Sequence, residues 1–368
     1  MMKVLLIGGA GVTGTVIARK LLEKNCAVTI LHRGLHKADL PDSVARIQAD
    51  PNDKDSLATA LEGKSFDAVI ALYGRLRYVI QALQGVTARV ISVGGAAPVY
   101  KGWGEMTAPN PWETTQPTPL FLAEDHVLAS AETDDRFSQM VRKTENEVLA
   151  AHQQGVFNVT HFRYPLVYGP NNICPAEWGL IRRAREQRKP LILPAGGLTV
   201  ISRGFSENIA HAIFLALENP AASAGQVYNI CDDYVMPNVE WVAKVSGLLQ
   251  HEFETVSIPF EVLPAGFRAT PPQLLYRHHC VMDISKIKQQ LGYRDVVSVD
   301  DALAKTVRWY QQHPLASECE AEQNLGDPFD YAYEDAFIQC WQKQTVGFAE
   351  AVMQLPAPKV VWKHPYQK

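Results

Sequence analysis

Val4-Leu5-Leu6-Ile7-Gly8-Gly9-Ala10-Gly11-Val12-Thr13-Gly14 is the stretch that decides the fold of this chain. Four apolar residues in a row, with no polar alternation, describe a strand buried on both faces. Glycine then recurs at 8, 11 and 14, and from Val12 the apolar residues take helical spacing at Val16, Ile17, Leu21 and Leu22. Strand, glycine turn and helix thus follow one another directly. Glycines let a backbone approach a pyrophosphate closely, and a helix N-terminus offers it N–H donors. Gly8, Gly11, Val12, Thr13 and Gly14 are therefore candidate cofactor contacts.

Outward from that turn, apolar runs at 27–31, 67–72 and 88–93 alternate with helical stretches, which predicts a parallel sheet covered on both faces. Further strand-like runs at 159–162 and 226–230 extend it, and the proline-rich 108–119 segment reads as a surface loop. After Pro170 the pattern loosens into a basic helix-like stretch at 180–189 and apolar helices at 209–217 and 241–249. Glu318, Glu320, Glu322, Asp327, Asp330, Glu334 and Asp335 follow without an intervening base. A helix then puts Phe337, Trp341, Phe348, Val352 and Leu355 on one face. The last part reads as an acidic linker and a docking helix that closes over the main body or over a second copy in a homodimer. Phe329, Tyr331 and Tyr333 would anchor the linker or line a substrate pocket.

Composition narrows the function. The 368 residues are 47% hydrophobic and 20% charged, which describes a globular chain large enough for two cores. The net charge of -4 lacks the basic excess that nucleic-acid binding leaves in a sequence. The six cysteines contain no pair close enough for a metal knuckle, and His278-His279-Cys280 has no remote ligand set, so no metal is expected. No apolar run approaches membrane-span length, and the start of the chain is too short a run for a signal peptide. A cytoplasmic protein with reduced thiols is the expectation.

The Gly8–Gly14 spacing resembles the short-chain dehydrogenase/reductase superfamily, particularly its extended branch of nucleotide-sugar epimerases, dehydratases and atypical reductases. Arg163-Tyr164-Pro165-Leu166-Val167-Tyr168-Gly169-Pro170 resembles that branch's Arg-x-Pro-x-x-x-Tyr-Gly-Pro region, and 205–210, 226–230, 283–293 and 299–310 are similar to later segments of it. The resemblance covers about residues 3–311. It implies a Rossmann-type doubly wound α/β domain over 1–169, completed by part of 199–234. A smaller substrate-binding domain over 170–318 and a C-terminal helical extension over 319–368 would follow.

The resemblance also places cofactor residues. The second strand ends in His32-Arg33, where an NAD-preferring relative often carries an acid for the ribose hydroxyls. Arg33, with Lys37 nearby, is suited instead to a 2′-phosphate, which favours NADP over NAD. Asp50 is similar to the family's adenine-contacting aspartate, while Leu72, Ser92, Tyr164, Pro165 and Val167 fall where the family's chain passes the cofactor. Lys143 matches the lysine that holds the nicotinamide ribose.

The rest of the usual catalytic set is missing. The tyrosine expected four residues before Lys143 is Gln139, and an amide cannot act as general acid or base. The hydroxyl expected just after the fourth strand is absent or displaced to Ser92. Tyr73 and Tyr100 are candidate replacement proton donors, with packing or substrate shaping as the alternative role of each, as of Tyr164. Ser206-Glu207-Asn208 adds polar groups to the site's edge or caps the following helix. The leading expectation is an NADP-dependent oxidoreductase acting by hydride transfer on a small or medium organic substrate. The alternatives are a nucleotide-sugar epimerase or dehydratase, and a catalytically silent regulatory protein contacting RNA through 182–189.

Overall fold

A computed structural model describes residues 1–34, 40–72, 74–95, 99–101, 119–130, 136–264, 266–326, 328–356 and 366. The apolar runs form strands β1 (Lys3–Ile7), β2 (Ala27–His32), β3 (Ala45–Gln48), β4 (Ala68–Ala71), β5 (Arg89–Gly95) and β6 (Asn158–Tyr164). With Gln226–Asn229 they build one sheet in the order 226–229, β6, β5, β4, β1, β2, β3. Every pairing in it is parallel, with Val4 beside Val28 and Ala68, and Ser92 beside His161. This is the Rossmann-type doubly wound sheet that the first strand and turn imply.

Parallel strands need crossovers, and the helices α1 (Val12–Glu23), α2 (Lys54–Leu61), α3 (Leu76–Ala82) and α4 (Arg136–Gln153) lie over the two faces. Because side chains alternate along a strand, Leu6, Ile30, Ile70, Ile91 and Phe162 pack against Ile17 and Leu21 of α1. Leu5, Ile7, Val69, Val90 and Val159 pack on the other face against Leu57, Val79 and Val148. Covering both faces is what excludes polar residues from Val4–Ile7 of β1 and from β4. Edge strand β3 shows the contrast, since Ala45, Arg46 and Gln48 are exposed.

Beyond β7 (Leu166–Tyr168) a third core gathers α5 (Trp178–Arg185), the helix Asn238–Leu249 and the helix Val299–Gln312 around Trp178, Trp241, Leu303 and Tyr310. The helix α6 (Ser206–Glu218) returns to the sheet, where Ile209 and Ile213 join the α1 face. Among the described residues no helix is long and apolar enough to cross a membrane.

The C-terminal segment departs from expectation in two ways. Its acids pair with three basic residues of α5 and the turn after it: Glu322 meets Arg182, Glu334 meets Arg183 and Arg188, and Asp335 meets Arg188, while Arg185 and Lys189 are exposed. The final helix, Tyr331–Met353, buries only the start of its apolar stripe. Ile338 is buried, with Phe337 and Trp341 packed beside it on Ile258 and Phe267, whereas Phe348 and Leu355 are 71% and 65% exposed and Val352 is 42% exposed. The helix outruns the body it packs on.

Candidate active site

The glycine turn is shaped by three different demands. Gly8 has φ +90, which an L side chain rarely adopts. Gly14 lies under the turn, where a Cβ would come 2.5 Å from the Gly8 carbonyl oxygen. Gly11 is required by neither: its φ is −83 and the nearest atom to an added Cβ is 3.8 Å away. The space above Gly11 is therefore open, at the N-terminus of a twelve-residue helix whose cap has no side-chain bond. Free first-turn N–H groups and an open cradle fit a dinucleotide pyrophosphate.

The residues expected on the adenosine side lie at the ends of β2 and β3. His32 Nδ1 accepts a hydrogen bond from Gly34 N at 3.0 Å, which holds the turn, and burial followed by the charge of Arg46 lowers its pKa. Arg33 is exposed on that turn, while Lys37 lies outside the described residues. Asp50 Oδ1 accepts from Asn52 N and Nδ2 at 2.9 and 3.2 Å, which directs that oxygen into its own loop.

Among the residues expected on the nicotinamide side, Leu72 N donates to Ile7 O at 2.9 Å, joining the ends of β4 and β1. Tyr73 lies outside the described residues. Tyr164 sets its buried hydroxyl beside Thr13, so two candidates from distant segments meet, and burial raises its pKa well above the ordinary phenol value despite Thr13. Pro165 packs on Gly204, where a Cβ would come 2.7 Å from its ring. Lys143 is exposed on α4, one turn after half-buried Gln139, and Glu147 faces Arg77 at 4.0 Å.

Ser92 and Tyr100 are both buried. Ser92 is wholly buried in the layer between the sheet and α4, with its Oγ 2.8 Å from His161 Nδ1. Tyr100 is 1% exposed; its hydroxyl donates to Asn229 Oδ1 at 2.7 Å and accepts from Arg163 at 2.8 Å. Burial pushes its pKa up to about 12 against the lowering effect of Arg163. Both groups belong to a buried polar network that the sequence reading missed. Arg163 donates to both Glu145 oxygens at 2.8 Å, and His161 Nε2 stands 3.6 Å from Glu145. Burial alone would raise Glu145, but the bonds and charge of Arg163, helped by His161 and Arg142, hold it below its ordinary value. The network fastens α4, which carries Lys143, to β6. Its signals were Arg163, inside the quoted motif, and Glu145, two residues beyond Lys143.

A cavity of about 610 Å³ adjoins this region, with Val167 in its wall. Arg203, Arg268, Arg277 and Glu177 also line it. Glu177 is 1% exposed, and its Oε2 has no hydrogen-bond partner among the described residues. Burial raises its pKa, offset by Arg203 and Trp241, while burial lowers Arg203 to about 10 against the pull of Glu177. None of these four was singled out from the sequence, because they come from separate segments. Two of the weaker candidates make structural bonds: Asn208 bonds Asp232 and the backbone at 296–297, and His279 Nδ1 accepts from Val200 N. Among the described residues no three His, Cys, Asp or Glu side chains are grouped to hold a metal.

Open turn, parallel sheet and adjoining cavity agree with the comparison of sequences. Residues 4–85 and 125–231, together more than half of the chain, match the NAD dependent epimerase/dehydratase family. The chain belongs to that family of epimerase-like enzymes. This NAD dependent epimerase/dehydratase family member is 24% identical over 338 residues to the UDP-N-acetyl-alpha-D-glucosaminuronate decarboxylase of Bacillus cytotoxicus, covering 84% of this chain and 97% of the relative. It is 26% identical over 247 residues to the chloroplast stem-loop binding protein of 41 kDa b from Arabidopsis thaliana, covering 62% and 58%. Among solved structures, the UDP-glucose 4-epimerase of Thermotoga maritima shares its fold with a TM-score of 0.68 at 15% identity, covering 85% of this chain and 99% of the epimerase. The NAD-bound UDP-glucuronic acid 4-epimerase of Bacillus cereus does so at 0.66 and 18%, covering 85% and 100%.

Proposed function

We propose that this family member is an NADP(H)-dependent oxidoreductase of epimerase type, whose substrate is an anionic, nucleotide-linked sugar held in the cavity beside Val167. The observation that carries this reading is the cavity itself. It opens against the strand that follows Tyr164 and Pro165, and three arginines line it against one carboxylate. A phosphate-bearing substrate suits that excess of positive charge. The decarboxylase of B. cytotoxicus, named for a UDP-linked sugar acid and aligned over most of its own length, supports the same substrate class.

The residues then divide the work. The cradle at Gly11 receives the pyrophosphate, Arg33 a 2′-phosphate, and Lys143 the nicotinamide ribose. When bound, the dinucleotide supplies reversible hydride transfer at its nicotinamide ring. Gln139 contributes no proton at the position next to Lys143, so proton transfer falls to another group of the cavity or to the substrate. The RNA-contacting alternative loses support, since three of the five basic residues of its cluster, Arg182, Arg183 and Arg188, pair with acids, although Arg185 and Lys189 are exposed.

Calorimetric titration with NADPH, NADH and UDP-glucuronic acid tests the reading. Tighter binding of NADPH is expected, with Arg33→Ala losing about 1.5–3 kcal/mol for NADP(H) alone, the range of charge-assisted hydrogen bonds. Equal losses for both cofactors, or an NADH preference in the parent, defeat the NADP assignment. Reduction of simple aldehydes or ketones without any binding of UDP-glucuronic acid would defeat the sugar and leave a small-substrate reductase.

A further inference from the structure

The cavity has a wall that the family-matched residues do not supply. Asn324, Leu325 and Gly326 line it, and they lie in the acidic C-terminal segment, beyond both matched stretches. That segment is clamped on either side of the wall. On the near side Trp178 Nε1 donates to Glu322 Oε1 at 2.8 Å, and Arg182 pairs with Glu322 Oε2 at 2.9 Å. Between the clamps, the Asn324 amide donates to Ile173 O at 2.8 Å, and Asn324 O accepts from Cys174 Sγ at 3.5 Å. On the far side fully buried Glu334 lies 3.2 Å from Arg183 and 3.0 Å from Arg188, and accepts from Ile192 N.

A carboxylate buried against two guanidiniums is costly in any other arrangement, because each partner left alone is an uncompensated buried charge. Glu334 is therefore tied to Arg183 and Arg188 as Glu322 is to Arg182. The chain between them buries Leu325 to 1% exposure among Trp178 and Tyr310, and lays Gly326 against Arg268, where an added Cβ would stand 3.4 Å from Cδ. Among the described residues Arg268 forms no ion pair; its Nη1 donates to the Phe267 carbonyl. Gly326 thus stands beside an arginine that faces the cavity.

We propose that Glu322–Gly326 form a ligand-selecting wall of this cavity, held by the two ionic clamps, with Leu325 setting the size of group accepted and Gly326 the position of Arg268. The proposal rests on the cavity being the substrate site.

The test uses the full chain and two readouts. Cys174 is exposed, but its thiol is held on the Asn324 carbonyl, so its alkylation by iodoacetamide, followed cysteine by cysteine with peptide mass spectrometry, reports whether that contact of the wall is made, and Cys340, exposed on the final helix without such a contact among the described residues, is the internal control. Glu322→Ala is expected to speed modification of Cys174 at least five-fold and leave Cys340 unchanged. Asn324→Ala, which removes only the amide bond to Ile173, gives the same direction should Glu322→Ala not fold. Titration with UDP and with UDP-glucuronic acid reports selection, and Leu325→Ala is expected to change the ratio of their Kd values at least five-fold at unchanged NADP(H) affinity. An unchanged Cys174 rate overturns the wall. A faster Cys174 with an unchanged ratio overturns selection, reducing the segment to a clamp. A parent that binds neither nucleotide defeats the sugar reading, and the Cys174 rate then decides the wall by itself.

Discussion

Lowering the pH from 7 to 5 should strip about 2 kcal/mol from the stability of this protein through one side chain, His161. Its ring is wholly buried between β5, β6 and α4, touching Ser92 at Nδ1 and facing Glu145 at Nε2, with Arg163 next along β6. It fits so closely that a Cβ on Gly94 would come 2.8 Å from Nε2. Burial lowers its pKa from 6.5 to about 4; Glu145 works against that shift and Arg163 adds to it. The ring is therefore neutral in the folded state at pH 7. Between pH 6.5 and 4 the unfolded chain binds the proton and the folded chain does not, so stability falls as pH falls through that window. The full shift corresponds to about 3 kcal/mol, of which about 2 is lost by pH 5. Other groups titrate in the same range; Asp295, raised to about 6 by burial and then by Asp232, acts with the opposite sign. The measurement is accordingly a difference: urea unfolding of the parent and of His161→Gln at pH 7, 6 and 5. The stability advantage of the parent should shrink by about 2 kcal/mol across the series. Parallel pH profiles for the two proteins would refute a buried neutral imidazole and the network built around it.

Gly11→Val should abolish dinucleotide binding at an unchanged Tm, since the nearest protein atom to the new Cβ is 3.8 Å away; retained affinity in the folded variant would move the cofactor elsewhere. Lys143→Met should weaken NADP(H) binding while stability changes by less than about 0.5 kcal/mol, because the side chain is exposed and Glu147 faces Arg77, and unaltered affinity by calorimetry would contradict its ribose role. Glu334→Leu should cost about 3–5 kcal/mol in urea unfolding by stranding Arg183, and adding Arg183→Met should recover much of that loss. Additive losses in that pair would show that the two residues are not coupled.

The fold was legible because its signals are local. A strand covered on both faces must be apolar throughout, so Val4–Ile7 and Ala68–Ala71 declared themselves, and the glycine turn declared the dinucleotide side. Ala45–Gln48 did not, since an edge strand with exposed side chains has no such run. The motif around Tyr164 was visible too, yet its meeting with Thr13 was not, because residues so far apart touch only after the sheet has closed.

Chemistry divided along the same line. Sequence alone established the missing tyrosine at 139, the lysine at 143 and the absence of an acid after the second strand, each a matter of residue identity at a known spacing. It also showed a basic stretch at 182–189 and an acidic linker from 318, but did not pair them because nothing local relates them. The tertiary structure alone joined Arg183 to Glu334, withdrew Ser92 and Tyr100 into a buried network, left Phe348 and Leu355 outside, and gathered Glu177, Arg203, Arg268 and Leu325 around one cavity. The physical reason is that backbone periodicity is written into neighbouring residues, whereas the pairing of buried charges depends on which distant segments the packed core brings within a few ångströms of each other.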